Sequence, residues 1–179
     1  MLTVDEEQQL IRIARASLEA YVRRLGEPGL EAVVNTSGHG AFVTAYCHGE
    51  LRGCLGRTTA DIPLSRLVLE LARAVADSDP RFDAIRPDEL PAITLEISVL
   101  TPQREIGSVS EIEIGRHGLI VEHRARRGLL LPQVPAERGW DRATFLVHTC
   151  LKAGLPADAW QRGARLFVFE AHVFGEENG

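Results

Sequence analysis

The sequence has few cysteines and no long apolar run. The three cysteines, at positions 47, 54 and 150, are an odd number for a disulfide framework and fit free thiols in a reducing compartment. The most apolar stretch, Leu64 to Ala76, is interrupted by charged residues and is shorter than the roughly 20 residues that cross a bilayer. The first ten residues carry acidic side chains where a secretory signal has a basic start. We therefore expect a cytoplasmic protein that makes no membrane contact.

The motifs of the common nucleotide-binding and hydrolytic sites are also missing. The chain has no P-loop, no G-x-G-x-x-G and no G-x-S-x-G sequence. Its six histidines and three cysteines show no C-x-x-C pair and no H-E-x-x-H motif. His148 and Cys150 are two residues apart in a predicted helix, where they do not share a face. These absences favour a protein with no bound metal and no other cofactor.

The charge balance argues against nucleic acid as a partner. Twenty basic residues against 25 acidic ones give a net charge of −5 at pH 7. A basic cluster, Arg124 to Arg127, lacks interleaved aromatic residues and is typical of a solvated hairpin tip. The content of 45% apolar and 25% charged residues is that of an ordinary globular chain. A chain of 179 residues buries about 70% of its surface on folding, so its core needs no disulfides.

Patterning in the first half of the chain predicts helices that alternate with a hairpin. Thr3-x-x-Glu6 has the form of a capping box, and apolar residues follow it at helical spacing until Gly26 and Pro28. Ala41 to Cys47 and the residues from Leu51 onward read as two strands around a turn. A second helix is expected after Asp61 and Pro63, and a half-buried strand over 93–99.

The second half predicts a similar mixture. Gly118 to Glu122 and Gly128 to Leu131 form a second hairpin in this interpretation, and Asp141 caps a helix that Gly154 and Pro156 end. Ala164 to Val173 reads as the last strand. Because hairpins predominate and strict strand–helix–strand alternation is missing, we predict an α+β fold with mainly antiparallel sheets.

The segment richest in chemical groups is Gly49 to Arg57. Gly53 and Gly56 allow positive φ and close approach of backbone, so the neighbouring N–H groups can converge on an anion. Strand alternation places Arg52 and Cys54 on one face, where the guanidinium would favour the thiolate. The alternatives are a Cys54 that is a small buried apolar residue, with glycines that only permit a bend, and a metal-bound Cys54.

Two further residues are candidates for a site. His117, followed by Gly118, is the best general base or anion contact, because imidazole titrates near neutrality. Its alternative is a turn histidine that hydrogen-bonds to backbone. Arg81, after Asp79-Pro80, is a candidate clamp for a carboxylate or phosphate, with an ion pair at a helix stop as its alternative.

Several sequence blocks resemble the AMMECR domain family, whose prokaryotic members are called AmmeMemoRadiSam system protein A. The signature is Leu51-Arg52-Gly53-Cys54-Leu55-Gly56, with leucine at 55 where the family form has isoleucine. The resemblance covers nearly the full chain, through the following further blocks: Pro63-Leu64, Asp79-Pro80-Arg81-Phe82, Glu96 to Pro102, His117-Gly118-Leu119, Gly128 to Val134, Gly139-Trp140 and Lys152 to Pro156.

The resemblance implies a fold and partners. It implies two α+β subdomains, each with an antiparallel sheet and packed helices. The larger would contain both chain ends, the smaller would be inserted around 55–100, and the signature would face a cleft between them. It also implies association with a Memo-like protein and a radical-SAM protein. It implies no reaction.

Two functional hypotheses follow. In the first, the cleft binds a small anionic ligand or a partner protein through Arg52, Gly53, Gly56 and Arg81, without catalysis. In the second, Cys54 is a nucleophile or redox thiol that acts on a small anionic substrate, supported by Arg52 and His117. The sequence contains no complete set of nucleophile, base and orienting group, which favours the first hypothesis.

Overall fold

The computed structural model describes residues 2–29, 34 and 39–176. They fall into two compact units. The first unit contains the described residues up to Leu100 and those from His172 onward, and the second contains residues 101–171. No helix in the described part of the chain is long and apolar enough to cross a membrane.

The first unit packs two helices on one face of an antiparallel sheet. Its elements are α1 (Val4–Val22), β1 (Gly40–Cys47), β2 (Glu50–Arg57), α2 (Leu64–Val75) and β3 (Ile93–Leu100). The predicted capping box starts α1, since Thr3 accepts the N–H of Glu6 and Glu6 accepts the N–H of Thr3. Strand β1 lies between β2 and β3 and is antiparallel to both.

The core of the first unit lies between that sheet and the helices. Alternate residues of β1, among them Val43 and Ala45, point inward with Leu95 and Ile97 of β3. They meet the buried stripes of α1 and α2, which consist mainly of leucine, alanine and valine. The opposite sheet face carries the alternate residues, including Thr44 and Cys54, which pair across β1 and β2.

The second unit is also α+β. Its elements are β4 (Arg104–Ile106), β5 (His117–His123), β6 (Arg126–Leu130), α3 (Gln133–Arg138), α4 (Arg142–Lys152) and the first part of β7 (Arg165–Gly175). All its strand pairs are antiparallel, with β5 between β6 and β7, and β4 beside β7. Its core gathers around Phe145 and Leu146 of α4 and Leu119 and Val121 of β5.

The expected α+β class with mainly antiparallel sheets is confirmed. The division of the chain differs from the expected insert around 55–100, because those residues lie in the first unit. Helix α2 and strand β3 share one hydrophobic core with α1 and β1, so they cannot form a separate unit. The second hairpin has longer strands than expected, and its turn shrinks to Arg124 and Ala125.

Candidate functional site

The signature segment forms β2, which stands at the end of the strand order. The register between β1 and β2 shifts after Ala45, which pairs with Gly53, whereas Tyr46 pairs with Leu51. Arg52 is therefore the extra residue of a β-bulge. A bulge redirects the side chain that it carries, so simple alternation does not decide what Arg52 contacts.

The guanidinium of Arg52 binds the segment 83–89. Its Nε and Nη2 donate to the two carboxylate oxygens of Glu89, at 2.8 and 3.2 Å. The two terminal nitrogens also donate to the carbonyl oxygens of Asp83 and Ala84. This contact raises the pKa of Arg52 and lowers the pKa of Glu89, each mainly through their shared hydrogen bonds. Arg52 thus fixes a loop against β2, and no contact with the Cys54 thiol is found for it among the described residues.

The two glycines of the signature serve close packing. Neither Gly53 nor Gly56 has a positive φ, contrary to that part of the expectation, because both lie within a regular stretch of β2. A Cβ on Gly53 would lie 3.1 Å from Val75 of α2. A Cβ on Gly56 would lie 2.2 Å from the Phe42 ring and 2.6 Å from the carbonyl oxygen of Ala41. These positions admit no side chain without movement of their neighbours.

Cys54 is partly buried on the sheet face that is turned away from the helices. Gly53 faces α2, so the adjacent Cys54 side chain points to the other side of the sheet. There the hydroxyl of Thr44, directly across on β1, donates to the Cys54 Sγ at 3.2 Å. The Cys54 N–H donates to the Asp79 carboxylate at 2.9 Å. The thiol and the amide of Cys54 are therefore both held in place.

Asp79 connects β2 to Arg81. Its Oδ1 accepts the backbone N–H of Arg81 and the Arg81 Nε at 3.1 and 2.9 Å, and its Oδ2 accepts Arg81 Nη2 at 2.7 Å beside the Cys54 N–H. Asp79 is only 4% exposed, whereas the side chain of Arg81 is 56% exposed. The Arg81 hydrogen bonds hold the pKa of Asp79 far below its usual value of 3.8. The N–H groups that were expected to converge on an anion converge on this carboxylate instead.

Arg81 is the arginine whose charge reaches the Cys54 thiol. The hydrogen bonds to Asp79 are the main cause of its raised pKa, and a Coulombic interaction with Cys54 contributes to it. Two of its three side-chain nitrogens bind Asp79, and within the described residues the third, Nη1, has no hydrogen-bond partner. An oriented, half-exposed guanidinium with a free N–H edge is suited to bind a carboxylate or another anion.

His117 lies in the second unit, at the start of β5, and is buried. Its Nδ1 accepts the backbone N–H of Glu113 at 3.1 Å, and its own N–H donates to the Glu113 carbonyl. This geometry is that of the turn histidine given as its alternative. The structure brings Cys54, Gly56 and Arg81 together in the first unit. The part of His117 in any site remains a prediction.

Asp79, Thr44 and Glu89 were missed as site residues. The signal for Asp79 was the Asp-Pro-Arg order, which places its carboxylate within reach of a guanidinium two residues later. Thr44 and Glu89 reach the site through strand pairing and through a contact 37 residues distant in sequence. Local sequence carries no signal for either of them.

The other cysteines have different surroundings. Cys150 is fully buried in α4, and burial raises the pKa of its thiol. Cys47 packs against the core of the first unit. All three cysteines are free thiols, and no group of three or more metal-ligating side chains occurs in the part of the chain described here.

A cavity of about 570 Å³ lies elsewhere in the first unit, where α1 and α2 end. Its lining includes Tyr21, Arg73 and Asp77. These polar groups satisfy one another, since the Tyr21 hydroxyl donates to Asp77 at 2.5 Å and the Arg73 guanidinium lies over the Tyr21 ring. The cavity contains none of the signature residues, although Ala84 in its wall accepts a hydrogen bond from Arg52.

The fold and the site together define a protein of two antiparallel α+β units with an arginine–carboxylate platform at the edge of the first sheet. The family model described as AMMECR1 matches residues 11–174. The chain belongs to the AMMECR1 family, which confirms the resemblance given by its sequence blocks.

The relatives of this chain match it over nearly their whole length. Protein MK0488 of Methanopyrus kandleri is 43% identical over 98% of this chain and 91% of its own. Protein MJ0810 of Methanocaldococcus jannaschii is 41% identical over 98% and 92%. The crystal structure of uncharacterized protein PH0010 from Pyrococcus horikoshii superposes with a TM-score of 0.87 at 36% identity, covering 98% of this chain and 94% of that one.

Proposed function

We propose that this chain is a non-catalytic binding module in which Arg81, next to Cys54, holds an anionic group such as a carboxylate. The observation that carries the proposal is the pairing of Arg81 with Asp79, which orients the guanidinium and leaves Nη1 free. Because the guanidinium is already held in place, binding costs little side-chain entropy.

The remaining signature residues support that platform. Arg52 anchors the segment 83–89, and Gly53 and Gly56 let α2 and the Phe42 ring pack close to β2. Each of these residues therefore serves ligand binding by holding β2 and the Arg81 loop in a fixed geometry. In this proposal their replacement weakens binding through loss of shape rather than loss of a direct contact.

The surroundings of Cys54 favour binding over catalysis. A thiol nucleophile needs a general base, and that base needs an orienting group. Among the described residues, the hydrogen bond to the Cys54 sulfur comes from the Thr44 hydroxyl, and the nearby Asp79 carboxylate is occupied by Arg81 and by the Cys54 N–H. No side chain remains at this site to act as a base.

The partners are a finer part of the proposal. The family resemblance motivates a Memo-like protein and a radical-SAM protein as the proteins with which this module works. The three free thiols suit the cytoplasm as the compartment for that work. Co-purification of this chain with either protein, expressed together, tests the association.

The binding proposal is tested by titrating the isotope-labelled chain with acetate, glutarate and inorganic phosphate while amide NMR shifts are followed. We expect saturable shifts near Arg81 and Cys54, and Arg81→Gln should weaken binding about tenfold, as one lost charge-assisted hydrogen bond predicts. Arg86→Gln is the matched control, because Arg86 is an exposed arginine of the same loop that pairs with Asp88. Equal affinities of the two variants, or no saturable shift, would reject the proposal.

The alternative is an enzyme that uses the Cys54 thiol on a small anionic substrate. One observation favours it: the thiol accepts a hydrogen bond from Thr44 and lies within the field of Arg81, and both favour the thiolate. The pH dependence of alkylation, measured for each cysteine by mass spectrometry, tests it. Fast reaction of Cys54 with a midpoint well below that of a free thiol would favour the enzyme. Slow reaction until unfolding would exclude it.

A further inference from the structure

Strand β2 leaves one edge of the first unit's sheet without a neighbouring strand. It is the terminal strand in the order β2-β1-β3, and β1 takes up its inner edge. In an antiparallel pair, the backbone groups of successive residues point alternately toward the partner strand and away from it. The outward groups of β2 are therefore those of every second residue.

The direction of the Cys54 N–H shows which residues these are. It points away from β1, toward Asp79, so Cys54 and, two residues later, Gly56 face outward. Asp79 satisfies the Cys54 N–H. Within the described residues, the Cys54 carbonyl and both backbone groups of Gly56 have no hydrogen-bond partner. An acceptor, a donor and a second acceptor thus lie in a row.

The rest of this edge is occupied, which limits the open part to Cys54–Arg57. Arg52 sits in the bulge and fastens the segment 83–89 at the other end of the strand. The Asp79 carboxylate already accepts an edge N–H as the carbonyl oxygen of an added strand would. A row of open backbone groups with alternating donors and acceptors suits an extended peptide rather than a small ion.

The charge beside this edge is positive. The free Nη1 of Arg81 lies next to Cys54 across Asp79, and Arg57 ends β2 with its side chain 55% exposed and paired with Glu70. Arg81 is the group left to meet an acidic side chain on an incoming strand.

We propose that the β2 edge at Cys54–Arg57 accepts an extended acidic segment of a partner protein as an added strand. A glutamate or aspartate of that segment binds Arg81, and its backbone pairs with Gly56 and with the Cys54 carbonyl. The inference rests on the proposed function, because Arg81 is the anion contact in both. It adds the class of partner, a peptide in the extended conformation.

The test uses a synthetic capped peptide, acetyl-Thr-Val-Glu-Val-Thr-amide, and two versions of it that are N-methylated at alternate residues. Contact between the glutamate and Arg81 fixes the register, so one methylated set removes hydrogen bonds to β2 and the other does not. We expect one version to bind about as well as the parent peptide and the other to bind at least tenfold more weakly. Amide exchange should slow at Gly56 and stay unchanged at Cys54, whose N–H is already bonded to Asp79.

The outcomes separate the two proposals. If glutarate binds in an Arg81-dependent manner while the peptide binds no more tightly and leaves Gly56 exchange unchanged, the added strand is rejected and the anion site stands. If neither binds, both are rejected. Equal binding of the two methylated versions rejects the added strand. Gly56 protection that rises with protein concentration, without peptide, assigns the edge to a second copy of this chain and overturns the proposal.

Discussion

At the scale of single residues, Asp79 is the side chain on which the candidate site depends most. It is almost fully buried and accepts four hydrogen bonds, from Cys54 and Arg81. Charged acceptors in such positions are stabilising only when all their partners are present. Cys54 and Arg81 are therefore held in one geometry by a residue that touches no ligand itself.

We predict that Asp79→Asn lowers the free energy of unfolding by about 1–3 kcal/mol, because an amide presents N–H groups to donors that need an acceptor. Urea unfolding measures the change. Asp88→Asn is the matched control, since Asp88 is 71% exposed and should change stability by less than about 0.5 kcal/mol. Similar losses in both variants would contradict the role assigned to Asp79.

A second residue-scale prediction concerns Gly56. Its replacement by alanine should cost about 1–3 kcal/mol, because the new methyl group would overlap the Phe42 ring and the Ala41 carbonyl. Gly26→Ala is the control, because a Cβ there meets nothing within 4 Å. Thermal unfolding of both variants gives the comparison, and a Gly56→Ala protein as stable as the control would show that β2 has room to move.

At the scale of elements, the end of β7 is tied to α1 and β3 by Glu176. Its carboxylate accepts Nε and Nη2 of Arg15, and also the N–H of Leu95 at 2.8 Å. The Glu176 N–H donates to the Leu95 carbonyl. A helix near one end of the chain and a strand near the other are thus joined through one partly buried ion pair.

We predict that Glu176→Gln destabilises the chain by about 1–2 kcal/mol and speeds amide exchange at Leu95, because the charge-assisted hydrogen bonds are lost. Glu19→Gln is the control, since Glu19 makes only a 3.7 Å surface pair with the same Arg15. Native-state hydrogen exchange measures the effect. Unchanged exchange at Leu95 in the Glu176 variant would show that the strand end is held by its backbone alone.

Strong local patterns were enough to predict most elements. The capping box, the stripe of α2, the first hairpin and the Asp141 cap all appear where the sequence indicates. Strand β4 and helix α3 were not predicted. Strand β4 has three residues and exists through pairing with β7, about 60 residues later, while α3 is a six-residue helix with a proline inside it. Tertiary pairing of this kind leaves no periodic signal.

The candidate site was predicted in part for a similar reason. The signature showed where chemical groups are concentrated, and Arg81 was already among the candidates. The bulge at Arg52 and the contact with Glu89 depend on strand register and on a segment 37 residues away. Alternation alone therefore assigned to Arg52 the role of charged neighbour to Cys54, for which the structure offers Arg81.

At the scale of the whole molecule, the ion pairs of the site make stability depend on pH. The pKa of Asp79 and the pKa of Glu89 are lowered in the folded chain by their arginine partners, from ordinary values of 3.8 and 4.5. Below those values the unfolded chain binds more protons than the folded chain. The stabilisation is therefore complete above about pH 5 and is lost as the pH falls through 4 and below.

We predict that the free energy of unfolding of the wild type falls between pH 5 and pH 3, and that Asp79→Asn falls less steeply over the same range. Urea unfolding at each pH measures both slopes. The reason is that asparagine does not titrate, so its share of the proton uptake is removed. Parallel slopes for the two proteins would contradict the lowered pKa of Asp79.

The central claim is that Arg81 binds an anion and that Cys54 only borders the site. The most direct test compares glutarate affinity in the wild type, Cys54→Ser and Arg81→Gln by NMR titration. The account predicts at most a threefold loss for Cys54→Ser, whose hydroxyl still accepts from Thr44, and about a tenfold loss for Arg81→Gln. Loss of binding in Cys54→Ser with full affinity in Arg81→Gln would contradict it and place the thiol at the centre of the function.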